Sequence, residues 1–129
     1  MNAYRIPFRP GHHMAAVDVR FGRNVEGTML VDTGAQRSMV TPDMARRLDL
    51  DLERPESRLT VHGIGGQRSA LLCRVDRLAI GAVVILQHPV IVASLPPVLR
   101  VDGILGLDVL ARFRVTFEFD TRTLVLRSV

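Results

Sequence analysis

The sequence has few of the residues that build disulfides, metal sites or base-stacking surfaces. Among 129 residues there are one cysteine, one tyrosine and no tryptophan. The single Cys73 excludes an internal disulfide, and its apolar neighbours indicate a buried, inert thiol. The four histidines show no ligand spacing around it, so we expect neither a metal nor another cofactor. With so few large aromatics, stacking against nucleic-acid bases has few candidate side chains.

Long hydrophobic runs are also missing. No apolar segment approaches the length that crosses a bilayer, and residues 1–13 carry arginines and prolines without the apolar stretch of a secretory signal. The net charge of +4 comes from arginines alone, and these are scattered along the chain, which is typical of a solvated surface. We therefore expect a cytoplasmic protein with neither a membrane nor a nucleic acid as partner.

The length suits one domain, and the pattern predicts a β-rich one. Residues 1–13 are aperiodic and are interpreted as an N-terminal arm, with the domain itself spanning 14–129. From Met14 onwards apolar and polar residues alternate with the period of half-buried strands, first over 17–21 and then over 25–31. Further strands are predicted at 59–61, 69–75, 83–85, 89–93, 115–119 and 124–126.

Two short helices are expected between these strands. Thr41 is a good N-cap, Pro42 suits the first helical position, and the helix is predicted to end near Leu50. A second helix is predicted over 107–113. Many short strands with two short helices predict an all-β, barrel-like fold.

Three motifs stand in a distinctive order. Met29-Leu30-Val31-Asp32-Thr33-Gly34-Ala35 places Asp-Thr-Gly-Ala after an apolar strand, Gly63-Ile64-Gly65-Gly66 forms a glycine-rich tip, and Gly103-Ile104-Leu105-Gly106 precedes a helix. In sequence, order and separation they resemble the retropepsin-like aspartic proteases, retroviral and single-domain bacterial, over roughly residues 14–127. The resemblance implies an acid-protease barrel protomer with two short helices and a flap hairpin.

The resemblance also implies roles for particular residues. The catalytic residues would be Asp32, Thr33 and Gly34, and the substrate-binding residues would be Ala35, Gln36, Arg37 and the flap residues Ile64, Gly65 and Gly66. Thr33 would hold its counterpart across a subunit interface. Retroviral enzymes are usually acidic at the position of Arg37, so the sequence departs from their pattern where substrate preference is set.

Peptide hydrolysis of this type requires two carboxylates that share one proton. Asp-Thr-Gly occurs once in the chain, so the second carboxylate is expected from a second copy, in a homodimer that cleaves a peptide or protein substrate. Asp102 and Asp108 are alternative partners within one chain. The simpler interpretations are that Asp102 is a turn residue and that Asp108 is a helix-start or surface residue. Two other hypotheses are a non-proteolytic peptide-binding or dimerisation module and a basic nucleic-acid-binding barrel.

Overall fold

The computed structural model describes residues 2–63 and 66–129. The strands are β1 (Ala3–Pro7), β2 (Ala16–Phe21), β3 (Val25–Val31), β4 (Met39–Val40), β5 (Ser57–Gly63), β6 (Gly66–Ile80), β7 (Val83–Val92), β8 (Gly103–Leu105), β9 (Phe113–Glu118) and β10 (Thr123–Ser128). The helices are α1 (Pro42–Arg47) and α2 (Leu107–Leu110), with a 3₁₀ turn at Pro97–Leu99.

Six of these strands form a barrel. Seven strands are hydrogen-bonded in the order β2-β3-β8-β4-β7-β6-β5, and a further pairing of β2 with β6 closes the ring, so that β5 extends from β6 outside it. Large side chains such as Phe21, Met29 and Leu105 are fully buried inside. The predicted all-β barrel with two short helices is confirmed.

A separate sheet in the order β1-β10-β9 contains the N-terminal strand. The interpretation of residues 1–13 as an aperiodic arm missed this strand, which pairs along its whole length with β10. The partner is more than a hundred residues away, and Pro7 obscures the alternation of Tyr4, Ile6 and Phe8. Ile6 and Phe8 are buried against the barrel, so this segment contributes to the core.

The strand β7 is longer than the sequence pattern indicates. The pattern predicts two strands, at 83–85 and 89–93, whereas one strand runs from Val83 to Val92 with a single register against β6. Gln87 has a φ of 52°, and Pro89 cannot donate a backbone hydrogen bond, so the local pattern is interrupted where the strand continues.

The helix α1 begins as expected. The Thr41 hydroxyl accepts a hydrogen bond from the backbone N–H of Met44 at 3.2 Å, and Pro42 occupies the first turn. The helix ends at Arg47, slightly before the predicted Leu50. It buries Met44, whose terminal methyl lies only 2.1 Å from the position that a Cβ on Gly27 of β3 would take. In the described part of the chain no helix is long and apolar enough to cross a membrane.

Candidate active site

Asp32 follows directly from the half-buried strand β3. β3 pairs antiparallel with β2 and parallel with β8, and its last residue, Val31, lies opposite Leu105. The Asp32 backbone N–H continues this ladder by donating to the Leu105 carbonyl at 3.0 Å. Because neighbours on both sides hold the strand, the position at which Asp32 leaves it is fixed by the barrel.

The loop then turns back on the Asp32 side chain. The Gly34 backbone N–H donates to Asp32 Oδ1 at 2.8 Å, and the Ala35 N–H donates to the Asp32 carbonyl at 3.3 Å. A Cβ on Gly34 would lie 3.2 Å from Oδ1, so a glycine allows this close approach. Asp32 is half-buried, while Thr33 and Gly34 are exposed. The carboxylate is therefore oriented by its own loop and remains accessible.

The glycines of the Gly103-Ile104-Leu105-Gly106 motif are explained by backbone contacts with the segment after Asp32. A Cβ on Gly103 would lie 2.2 Å from the Met39 carbonyl oxygen, and one on Gly106 would lie 2.8 Å from the carbonyl oxygen of Ala35. Real Cβ atoms essentially never approach so closely. Glycine at both positions lets the loop and β8 pack backbone to backbone.

The helix α2 is hydrogen-bonded to the same loop. The backbone N–H groups of Leu107 and Asp108 donate to the carbonyls of Ala35 and Gln36 at 2.8 and 3.2 Å. These N–H groups in the first turn of a helix have no partners within it. The loop carbonyls satisfy them, and the start of α2 thereby fixes the course of the chain after Asp32.

Asp108 anchors this arrangement in the interior. Its carboxylate accepts hydrogen bonds from Ser38 N–H at 2.9 Å and Ser38 Oγ at 2.7 Å, and it lies 2.9 Å from Nε2 of His88. Burial alone would raise the pKa of Asp108, but donation by His88 and Ser38 outweighs it, so the pKa lies below the ordinary value. Asp108 lies in the first turn of α2, as expected of a helix-start residue, and it is half-buried.

Asp102 has a structural role as well. Its Oδ2 accepts a hydrogen bond from the Thr28 N–H at 2.8 Å, and its own N–H donates to the Thr28 carbonyl. Its carbonyl accepts a hydrogen bond from the N–H of Thr41. Its other carboxylate oxygen lies 3.9 Å from Arg47. Asp102 therefore connects β3 to the start of α1. Both carboxylates considered as partners of Asp32 within one chain are engaged elsewhere.

The predicted flap coincides with the hairpin of β5 and β6. Gly63 and Gly66 form its last described pair, and Gly66 has a φ of 101°, which favours glycine. Ile64 and Gly65 lie outside the described residues. A cavity of about 130 Å³ lies beneath the hairpin. Its lining residues are Met39, Val61, Gly66, Arg68, Ala93, Ser94, Leu95 and Pro96.

The site residues predicted from sequence fall into two groups. Asp32, Thr33, Gly34, Ala35, Gln36 and Arg37 all lie on the loop between β3 and β4. Gly66 lies on the hairpin. Gly66 and Met39, which follows the loop, both line the cavity. Sequence reasoning missed Ser38 and His88, because a buried serine and a histidine in an apparent gap between strands carry no local signal.

Comparisons with known proteins agree with this geometry. A family model described as aspartyl protease matches residues 17–109. No curated protein matches the chain. A retropepsin-like aspartic protease from Rickettsia conorii superposes with a TM-score of 0.70 at 24% identity, covering 97% of this chain and 89% of the other. EIAV protease, solved with the inhibitor HBY-793, superposes with a TM-score of 0.59 at 22% identity, covering 80% and 90%.

The two structural matches lie below 25% identity and show the fold, which is that of the retropepsin-like proteases. The family match spans more than two thirds of the chain and includes the Asp-Thr-Gly loop, the hairpin and the start of α2. The chain belongs to the aspartyl protease family.

Proposed function

We propose that the protein is an aspartic endopeptidase whose catalytic dyad consists of two copies of Asp32, one from each subunit of a homodimer. The observation that carries the proposal is the single Asp-Thr-Gly loop, in which the Gly34 N–H orients an accessible Asp32 carboxylate. Asp102 and Asp108 are hydrogen-bonded to other groups, which favours a partner from a second chain. Family membership supports the same reaction.

The proposed chemistry follows from two carboxylates that share one proton. Like charges about 3 Å apart cannot both ionise, so one Asp32 is a base and the other an acid. The base removes a proton from a water molecule, which attacks the scissile carbonyl carbon while the acid protonates the carbonyl oxygen. When the tetrahedral intermediate collapses, the carboxyl that took the water proton donates it to the leaving nitrogen as the C–N bond breaks. The other carboxylate takes back a hydroxyl proton as the new carboxyl group forms, so the dyad again holds one proton. Because the dyad is symmetric, either subunit can take either role.

The substrate is proposed to lie between the Asp32 loop and the hairpin. Gly34 has no side chain to obstruct a substrate backbone, and Ala35, Gln36 and Arg37 would contact the residues on either side of the scissile bond. Ile64, Gly65 and Gly66 would cover the peptide and exclude water. The cavity beneath the hairpin would accept one apolar side chain, since Met39, Val61 and Ala93 line it.

A peptide-library cleavage assay from acidic to neutral pH tests the reaction. We expect Asp32→Asn to abolish cleavage, because an amide cannot act as the base. Asp76→Asn, which makes the same change at an exposed position on β6, should cleave like the natural protein. Cleavage that survives Asp32→Asn would contradict the proposal.

Subunit mixing tests the shared dyad. At concentrations that keep the protein dimeric, adding one equivalent of Asp32→Asn protein and allowing exchange should lower total activity to about half, because mixed dimers have one usable carboxylate. Activity unchanged by complete exchange would mean that one chain carries a whole site.

A non-proteolytic peptide-binding module is the second candidate, and the exposed Arg37 is the observation that favours it. Retroviral enzymes are usually acidic at that position, so the site can present a different charge to its peptide. A dimer that binds library peptides but cleaves none between acidic and neutral pH would establish this alternative.

A further inference from the structure

An arginine lies among apolar residues on the inner face of the hairpin of β5 and β6. Val61 pairs with Arg68 and Leu59 pairs with Ala70, and alternate residues of a strand share a face, so these four side chains lie together. Leu59, Val61 and Ala70 belong to one apolar cluster. Arg68 therefore occupies a position that continues an apolar face, and it lines the cavity beneath the hairpin.

The Arg68 guanidinium is anchored at the rim of this cavity and keeps donors to spare. Its Nη1 donates to the Ser94 carbonyl at 2.8 Å, on another part of the cavity wall. A guanidinium has five N–H donors in a fixed fork, and a neutral carbonyl does not compensate its charge. Because the side chain is exposed, its remaining donors can reach a ligand that lies between the hairpin and the Asp32 loop.

Arg37 lies on the side of its segment that faces the same cavity. Ser38 and Val40 are buried, whereas Arg37 is exposed and Met39 is half-buried and lines the cavity. Exposure thus alternates as in a strand, and the Ser38 carbonyl accepts a hydrogen bond from the Ile91 N–H at 3.0 Å, as a strand residue would. Alternate residues of a strand lie on one face, about 7 Å apart. Arg37 is therefore placed beside Met39, at the rim of the cavity.

The positive charge at this rim is not balanced by acidic neighbours. The described residues that line the cavity include no carboxylate. Within the described part of the chain, no ion pair includes Arg37 or Arg68. Asp108 contacts this segment at Ser38, on its buried side, and is paired with His88. An apolar cavity with two guanidinium groups at its rim favours a ligand that carries negative charge.

We propose that Arg37 and Arg68 bind a glutamate or aspartate side chain of the substrate at the rim of the cavity. The proposal rests on the proposed function, in which a peptide lies between the Asp32 loop and the hairpin. An apolar substrate residue would fill the cavity, and the acidic residue would be one of its neighbours along the extended peptide. A guanidinium can hold a carboxylate through two parallel hydrogen bonds, so the arginines select for geometry as well as charge.

A homodimer would present this rim twice, once on each side of the scissile bond. Acidic residues are therefore expected in both halves of a good substrate. Lysine or arginine at the same substrate positions should be rejected, because a like charge would face the two guanidinium groups. The substrate class is thus a peptide segment in which acidic residues lie beside apolar ones.

Matched peptides that differ only in charge test this preference. In each pair a leucine has glutamate, or its neutral isostere glutamine, at one neighbouring position at a time. Affinity is measured by fluorescence anisotropy with Asp32→Asn protein, which should not cleave the peptides. At neutral pH we expect at least one position at which glutamate binds about fivefold or more tightly than glutamine. Equal affinity at every position, or no binding of either peptide, contradicts the proposal.

Arginine variants assign the preference to its residues. Arg37→Gln and Arg68→Gln, each combined with Asp32→Asn, should lower the affinity ratio of glutamate to glutamine peptide, and the two together should bring it close to one. Arg58→Gln removes the same charge from an exposed position on the opposite face of the hairpin and should leave the ratio unaltered. If Arg68 served only to hold the hairpin against Ser94, its loss would weaken both peptides equally, and the assignment would be wrong.

Charge inversion provides a second measurement. A protein with both Arg37→Glu and Arg68→Glu should prefer lysine to glutamine at the position where the natural arginines prefer glutamate. A glutamate preference that persists in this variant would place the acid-binding group elsewhere. A raised dimer dissociation constant in analytical ultracentrifugation, with an unchanged peptide ratio, would show that the arginines pair across the subunit interface instead, and would equally overturn the proposal.

The two proposals can fail separately. If Asp32-dependent cleavage is found and glutamate and glutamine peptides bind alike, the proteolytic function stands and the acidic preference is wrong. If glutamate is preferred through Arg37 and Arg68 while the natural protein cleaves no peptide, the binding preference stands and the proteolytic function is wrong.

Discussion

Replacing His88 should reveal how the loop that carries Asp32 is anchored. His88 is 3% exposed and lies 2.9 Å from Asp108, which in turn accepts two hydrogen bonds from Ser38 at the end of the loop. His88→Leu removes one donor from a half-buried carboxylate while keeping an apolar side chain in the space. The carboxylate is then left with fewer donors in an interior that penalises its charge.

The expected cost can be estimated from the lost contact. A hydrogen bond to a charged group contributes about 1.5–3 kcal/mol, so His88→Leu should lower the free energy of unfolding by about 2 kcal/mol near neutral pH. For a domain of this size that corresponds to a fall in Tm of about 6–10 °C. His62→Leu, at an exposed position on β5, should change Tm by much less.

The pH dependence has a definite sign. The pKa of Asp108 lies below its ordinary value of 3.8 in the folded protein, so its contribution to stability is present above that value and is lost as pH falls through the folded pKa. In His88→Leu, burial should raise the pKa of Asp108 relative to the natural protein. Its contribution to stability should then be lost at higher pH. The difference in unfolding free energy between natural protein and variant should therefore be largest near neutral pH and narrow below about pH 4.

Urea unfolding from about pH 3 to pH 7 measures this difference. A double-mutant cycle with Asp108→Asn isolates the contact, because His88→Leu should cost much less once the carboxylate is gone. A difference that stays constant across the pH range, or a cycle with no coupling energy, would show that His88 acts through packing alone and would refute the reasoning.

Other residues allow equally direct tests. Gly106→Ala should lower the unfolding free energy by about 3 kcal/mol in urea titration, because its Cβ would lie 2.8 Å from the Ala35 carbonyl. Gly22→Ala is the control: its Cβ meets no atom within 4 Å, so it should cost only about 1 kcal/mol, for its φ of 57°. Thr41→Ala should cost about 1 kcal/mol and Thr41→Ser much less in the same titration, since serine retains the α1 cap. Burial raises the pKa of Cys73, so this thiol should react with a coloured disulfide reagent only after unfolding in urea.

The sequence predicts those elements whose signals are local. Thr41 and Pro42 mark the start of α1 because capping and proline geometry act within one turn. The strand β1 gives a weak local signal, and its stability depends on β10 at the other end of the chain. The local pattern likewise predicts two strands, 83–85 and 89–93, whereas β7 is continuous, because pairing with β6 overrides the interruption at 86–88.

In the candidate site too, some residues could be predicted from local motifs and others could not. Asp32, Gly34, Gly103 and Gly106 could be predicted because they lie in short motifs that resemble those of the retropepsin-like proteases. A Cβ would lie close to Asp32 Oδ1 at Gly34, to the Met39 carbonyl at Gly103 and to the Ala35 carbonyl at Gly106. Ser38, His88 and Asp108 come from three separate segments, and their contact exists only once the barrel has closed. The residues proposed to carry out chemistry thus lie in short local motifs, whereas the residues that hold them in place depend on the whole fold. Variants of His88 should therefore disturb the orientation of Asp32 although no short motif includes both residues.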